Sequence, residues 1–348
     1  MSRNHKVTQQ QTLLDRKGHI AEQGWSDRPV WTYSRKAVHA GKLRIKEWDY
    51  YAVHSFSGSW TVCITVSDLG YAALFSVSFI DYAKKGFAQR DITKLLPLGR
   101  TGLAPSSSED SSFVFQNHKM RIALIKKGTK RHLLFNVPDL VLPDGRTGLD
   151  VNITLTQSAA LRSMNIATSW AEKRKAFYLN QKINCMPASG TVRLGDDTTY
   201  LSKDDAWGVL DWGRGVWTRE NTWYWGSASG IAGGGRFGFN IGYGFSDRTP
   251  ASENCLFFNG SVHKLDDVTF ILPEESFTDP WRFTSSDGRF EMTFRPAVDR
   301  SSDTRIPLVR SIQHQVFGYY TGDAVLDGGE VIHIEDFPGF AEKVYNKW

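Results

Sequence analysis

Cysteine is scarce in this chain: Cys63, Cys185 and Cys255 are the only three among 348 residues, and no two have zinc-ligand spacing. An odd number of thiols set among apolar neighbours reads as reduced core residues, which favours a reducing, cytoplasmic compartment. Long apolar runs are missing as well. No stretch reaches the roughly 18 residues expected of a membrane helix, and residues 1–11 are polar, without the apolar centre of a secretion signal. No transmembrane segment is therefore expected, while contact with a membrane surface stays open. Gly-x-Gly-x-x-Gly between strand and helix, Gly-x-x-x-x-Gly-Lys-Ser/Thr, Gly-x-Ser-x-Gly and His-Glu-x-x-His are all absent. Neither a cofactor nor a metal is expected from the motifs. The net charge of +5 is spread thinly, with its densest run at Glu172-Lys173-Arg174-Lys175 and no reader motif beside it. That pattern argues against nucleic acid as a partner.

Helical periodicity is also weak. Only 91–96 and 158–182 hold enough helix-compatible residues to read as minor helix. Elsewhere the period is two. The run 59–80 is rich in Val, Ile, Thr and Phe and breaks at Asp68-Leu69-Gly70, which predicts a hairpin. Further strands are expected at 113–126, 131–142 and 150–157, then around Ser286-Asp287-Gly288, over 311–326 and at 331–334. Such a chain is all-β: two lipocalin-like antiparallel barrels, or strongly curved sheets, in tandem. Composition changes near residue 175, dividing 1–175 from 176–348. Gly58-Ser59-Trp60 and Gly215-Val216-Trp217 share the Gly-x-Trp spacing that opens the first strand of many lipocalins.

What the chain has in abundance is tryptophan. It has 12 Trp residues, and five of them fall in a Trp- and Gly-rich run over 207–245. Phe237, Phe239, Ile241, Tyr243 and Phe245 alternate with Gly238, Asn240, Gly242 and Gly244, so one face is bulky and the other nearly bare. A bare face admits a close neighbour, either backbone, side chain or ligand. Within the run, Asp211 and Arg214 form the sharpest candidate pair. A glycine bulge between them would bring both to one face, where Arg214 and aromatic walls would tune an acid. The plain reading is an ion pair closing a barrel end. Trp212, Trp217, Trp223, Trp225, Asn240 and Tyr243 are candidate ligand contacts. Asp247 and Glu253, just past the glycine strand, belong at a barrel rim; His263 and His314 are candidates that a structural hydrogen bond would explain equally well. Glu47, Asp49 and Tyr51 share a strand face and line either a polar pocket or a contact between halves.

The stretches Lys46-Glu47-Trp48-Asp49-Tyr50-Tyr51, Lys175-Ala176-Phe177-Tyr178-Leu179-Asn180-Gln181-Lys182, 210–217 and 240–245 resemble the uncharacterised domain-of-unknown-function family 2804. His263-Lys264-Leu265, 285–291 and 314–318 extend the likeness. A looser similarity links the chain to lipocalin-like two-barrel hydratases and cyclases. That likeness implies a hydrophobic small molecule, lipid or terpenoid in kind. The first expectation is a binding or carrier protein with its ligand in the carboxyl-terminal barrel. The alternatives are a cofactor-independent hydratase, cyclase or isomerase using Asp211 as acid, and a structural module whose tryptophans only fill cores.

Overall fold

The computed structural model describes residues 4–306 and 309–348, with the side chain of Ile306 also left aside. Among these residues the only helix is the 3-10 turn Arg35–Ala37. Both expected helices are strand instead. Residues 91–96 lie mostly in Gly86–Leu95, and 158–182 falls across Met164–Trp170 and Lys173–Leu194. The reason is visible in the second case. Phe177, Leu179 and Ile183 enter one core while Ala176 and Tyr178 enter another, so the segment is buried on both faces and period two is masked.

Two antiparallel sheets carry the fold. The first has thirteen strands. Its main path runs from Gly86–Leu95 through Ala72–Asp81, Trp60–Asp68 and Ile45–Ser55 to Ala206–Val216 and Lys173–Leu194. It continues through Thr147–Thr156, Lys130–Val141 and Arg121–Lys127 to Ser111–Gln116. Phe75 lies near one end of this path and Phe115 at the other, yet their rings stack 3.9 Å apart. The sheet therefore curls until its ends nearly meet around one apolar core. Strand twist makes such curling the normal outcome for a sheet this wide.

The second sheet has nine strands, with Glu220–Ala232, Val331–Lys347, Val309–Val325 and Phe290–Ile306 at its centre. It curls around Phe237, Phe239, Ile241, Trp281, Phe283, Phe290, Phe294 and Tyr320, all 2% exposed or less. Their rings interlock: Phe239 meets Phe290 and Tyr320 at 4.9 Å each. This concave side is occupied by the protein's own side chains.

The chain changes sheet between Val216 and Glu220, and residue 175, where composition changes, lies inside Lys173–Leu194. Trp60 opens its strand, but Trp217 follows the end of one, so the two Gly-x-Trp matches are not equivalent. The sheets meet through their outer faces, over two apolar clusters that include Trp48, Tyr178, Trp217, Trp223, Tyr50, Trp225 and Phe340. A bulge in Lys173–Leu194 locks them together. The register shifts between Ile183 and Met186, and Cys185 adopts φ +58°. The displaced Asn184 donates to Ser227 Oγ at 2.8 Å and to the Phe239 carbonyl at 3.0 Å, and the Cys185 amide donates to Ser229 Oγ. An amino-terminal strap adds to this, with the His5 amide bonded to the Pro250 carbonyl.

Candidate active site between the two sheets

Strand alternation decides which side chains reach the seam between the sheets. On Ala206–Val216 the register with both neighbours is regular at Asp211 through Arg214, so no bulge intervenes. Asp211 faces the seam, and Arg214 faces the core of the first sheet. The two residues do not pair. Arg214 instead donates to Asp49 Oδ1 at 3.0 Å and to the carbonyls of Trp48 and Ala104, with its guanidinium 4.2 Å from the Trp212 ring. Asp49, Tyr51 and Arg131 border a cavity of about 30 Å³ there, room for one or two waters. Burial raises the Asp49 carboxyl, and Arg214 opposes the rise. An open groove of about 570 Å³ elsewhere is lined by Arg146, Arg193, Asp196 and Asp197 together with Pro138 and Leu149, so its lining is mainly polar.

Asp211 finds a different partner. Lys182 stands directly opposite it on Lys173–Leu194, and the Nζ–Oδ2 separation is 3.0 Å. The Lys182 side chain is only 3% exposed. Its ammonium also lies 3.8 Å from the centre of the Trp225 ring and 4.0 Å from Glu253 Oε2. Asn180, two residues earlier on the same face, donates to Asp211 Oδ1 at 2.5 Å. Its own Oδ1 is buried and meets no donor among the described residues.

The second sheet supplies the other wall. Its glycine strand turns the bare face toward the seam, which explains the bareness. A Cβ at Gly238 would stand 2.7 Å from Cys185 Sγ, and one at Gly242 would stand 2.8 Å from Glu253 Oε1. Asn240 accepts from Trp225 Nε1 at 2.7 Å and donates to the Glu253 carbonyl at 3.0 Å. Burial raises the Glu253 carboxyl above its ordinary range, with Lys182 opposing and Asp211 adding to the rise. Tyr178, stacked 4.7 Å from Phe245, is pushed well up by burial and by Glu253, Asp211 and Glu342.

Glu342 completes the group. It is 8% exposed, and burial lifts its carboxyl to about 7 against the pull of Trp223, Lys182 and Arg300. Trp223 Nε1 donates to Oε1 at 2.8 Å, and Gln315 Nε2 donates to Oε2 at 3.0 Å. An indole N–H can only donate. The Gln315 amide is held in the donating sense because its oxygen accepts from Arg300 Nη2 at 2.5 Å, and arginine cannot accept. Both Glu342 oxygens therefore serve as acceptors. When the carboxyl is neutral, its proton is not engaged by either partner and is free for a third group.

Over this polar group lies a cap of rings. Trp217 contacts Trp48 at 5.1 Å, Phe245 at 5.0 Å, Trp348 at 5.4 Å and Trp223 at 5.8 Å. Of the sequence candidates, the seam thus gathers Asp211, Glu253, Asn240, Trp217, Trp223 and Trp225. Arg214 and Trp212 lie in the first core. Tyr243 stacks on Tyr224, and Asp247 pairs with Arg174 at the rim. His263 lies 3.3 Å from Asp327, while His314 bonds Asp299 at 2.8 Å and stacks on Phe277. Lys182, Asn180, Tyr178, Gln315 and Glu342 were not singled out for chemistry in the sequence. Strand parity was the available signal: Tyr178, Asn180 and Lys182 alternate on one face, as do Phe340 and Glu342 on another. Among the described residues, no cluster of three or more His, Cys, Asp or Glu has metal-holding geometry.

The profile of the domain of unknown function DUF2804 matches residues 4–348. The chain belongs to this family. No curated protein sequence matches it. Among solved structures, a protein assigned as AttH from Nitrosomonas europaea superposes with TM-score 0.52 at 10% identity, over 87% of this chain and 92% of that one. Kievitone hydratase from Nectria haematococca gives TM-score 0.50 at 9% identity, over 99% and 98%. The likeness establishes a shared fold, two curled antiparallel half-barrels in tandem. Among the described residues no helix is long and apolar enough to cross a membrane.

Proposed function

We propose that this family member is a cofactor-independent enzyme that adds or moves a proton on an apolar small molecule, in hydration, cyclisation or isomerisation. The carrying observation is Glu342, a carboxyl lifted to about 7 whose two oxygens both accept from donor groups. A buried acid in this range is suited to donate near neutral pH. Asp211, held by Lys182 and Asn180, faces the same seam. In a hydration Glu342 gives its proton to carbon, the added water loses one to Asp211, and exchange with solvent returns Glu342 to its acid form and Asp211 to its anion. The free acceptor of Asn180 suits a water or a substrate hydroxyl. The ring cap around Trp217 supplies π faces for developing positive charge.

That a protein of this fold is a hydratase agrees with this reading, although fold alone does not assign chemistry. The carrier reading loses ground because the carboxyl-terminal core is filled by its own phenylalanines. Three buried free thiols support a reducing, cytoplasmic setting.

The test is incubation in D₂O with alkenes, polyenes and enones, followed by mass spectrometry. Wild type should place deuterium on carbon or add the mass of water, and Glu342→Gln should lower the rate about 100-fold. Asp211→Asn should also abolish turnover while the protein stays folded. Equal conversion by wild type and Glu342→Gln overturns the proposal. A wild type inert across the panel, yet holding an apolar molecule in native mass spectra, favours the carrier reading.

A further inference from the structure

The chain of contacts behind Glu342 leads to a residue outside the site. Arg300 sits on Phe290–Ile306, in the second sheet, but reaches across the seam. Its Nη1 donates to Ser78 Oγ at 3.0 Å and to Gln89 Oε1 at 3.3 Å, both on the first sheet. Its Nη2 donates to Gln315 Oε1 at 2.5 Å; the single Tyr50 hydroxyl proton is shared between this oxygen at 3.4 Å and Cys63 Sγ at 3.3 Å. Gln315 is 3% exposed, so water does not compete freely for its amide.

A glutamine amide has two faces of opposite sense. With its oxygen toward Arg300, its NH₂ faces Glu342. Turned over, it would present a carbonyl to Glu342, and a neutral carboxyl would then donate its proton into that carbonyl. The flipped state would also set NH₂ against the guanidinium, donor against donor, which forbids it while Arg300 is present.

We propose that Arg300 is a positioning residue that locks the Gln315 amide so that the Glu342 proton stays available to substrate. The inference deepens the proton-transfer reading and rests on it for its consequence, but the lock itself is testable without turnover. The ionisable and charged groups acting on Glu342 are Lys182, Asp211, Arg300, Tyr178 and Tyr50. None besides Arg300 is altered in the test.

The experiment is isotope-edited infrared spectroscopy of the full chain carrying ¹³C-glutamate, with Glu342→Gln as the subtraction reference. Arg300→Met should move the Glu342 carboxyl band to lower frequency, as its O–H gains an acceptor; the titration midpoint should rise too, but loss of the Arg300 charge alone raises it, so the band decides. Arg300→Lys, which still only donates, should keep the wild-type band position. In an active preparation Arg300→Met should lower kcat about tenfold with KM little changed. An unchanged band position in Arg300→Met overturns the lock, whatever the midpoint and the activity. Altered spectra in an enzyme that transfers no proton leave the lock standing and remove the function. If Arg300→Met fails to fold, Arg300→Gln supplies the second variant: an amide at 300 can meet Gln315 in either sense, so the band should move as in Arg300→Met, and an unchanged band overturns the proposal.

Discussion

Lys182 and Asp211 face each other across neighbouring strands, 3.0 Å apart, at the seam of two curled sheets. Glu253 and Glu342 act on the same ammonium, so one buried cation serves three carboxyls. Removing it leaves Asp211 without its ion-pair partner and weakens the positive field on Glu342 and Glu253, which Arg300 and Lys264 then supply alone. Lys182→Met should cost about 3 kcal/mol in urea unfolding at pH 8. At pH 5 the cost should shrink, because Glu342 and Glu253 can take up protons instead. A cost unchanged across that range contradicts the shared-cation picture.

Glu342 gives the folded state its own pH dependence. Its folded carboxyl stands at about 7 against 4.5 for the free group, so between these values the folded state binds more protons than the unfolded one. Stability should therefore fall as pH rises from about 5 to 8, by at most about 3 kcal/mol from this residue. Glu342→Gln should flatten the slope. Urea midpoints at pH 5, 6, 7 and 8 for both proteins decide it, and parallel curves would refute the assignment.

Glycine at the seam is a packing requirement. A Cβ at Gly238 would lie 2.6 Å from the Ala228 carbonyl and 2.7 Å from Cys185 Sγ. Neither can retreat, since one is backbone and the other sits on the bulge. Gly238→Ala should destabilise by about 2–3 kcal/mol. Gly328→Ala has open space and should stay within about 0.5 kcal/mol of wild type. Thermal unfolding of the two variants side by side makes the comparison.

Asp211 and Arg214 should behave as independent residues, because alternation puts them on opposite faces. A double-mutant cycle using Asp211→Asn and Arg214→Met should show coupling below about 0.5 kcal/mol. The cycle joining Asp49→Asn with Arg214→Met should exceed about 1 kcal/mol, given their 3.0 Å contact. The reverse ranking would mean the register is wrong.

Much of the fold was legible in the chain because its signals are local. Turn chemistry at Asp68-Leu69-Gly70 and Ser286-Asp287-Gly288 marked hairpins that are present, Trp60–Asp68 with Ala72–Asp81 and Trp281–Ser285 with Phe290–Ile306. The glycine alternation over 237–245 marked a face with a close neighbour. Local patterns could not show that this neighbour is the other sheet. Nor could they reveal a strand such as Lys173–Leu194, whose two faces enter two different cores and so lose their polar alternation. Lys182 and Glu342 escaped for the same reason: they lie 160 residues apart in sequence and meet only when the sheets do. The Asp211–Arg214 pair failed on parity, since a three-residue spacing in an unbulged strand separates faces.

The protonation state of Glu342 is the point on which the rest depends. Carbon-13 NMR of the glutamate δ-carbons, compared with Glu342→Gln, isolates its resonance. A neutral acid at the seam requires that resonance to titrate near pH 7. A midpoint below pH 5, with the exposed glutamates, would make Glu342 an ordinary buried anion and remove the proton donor from the site.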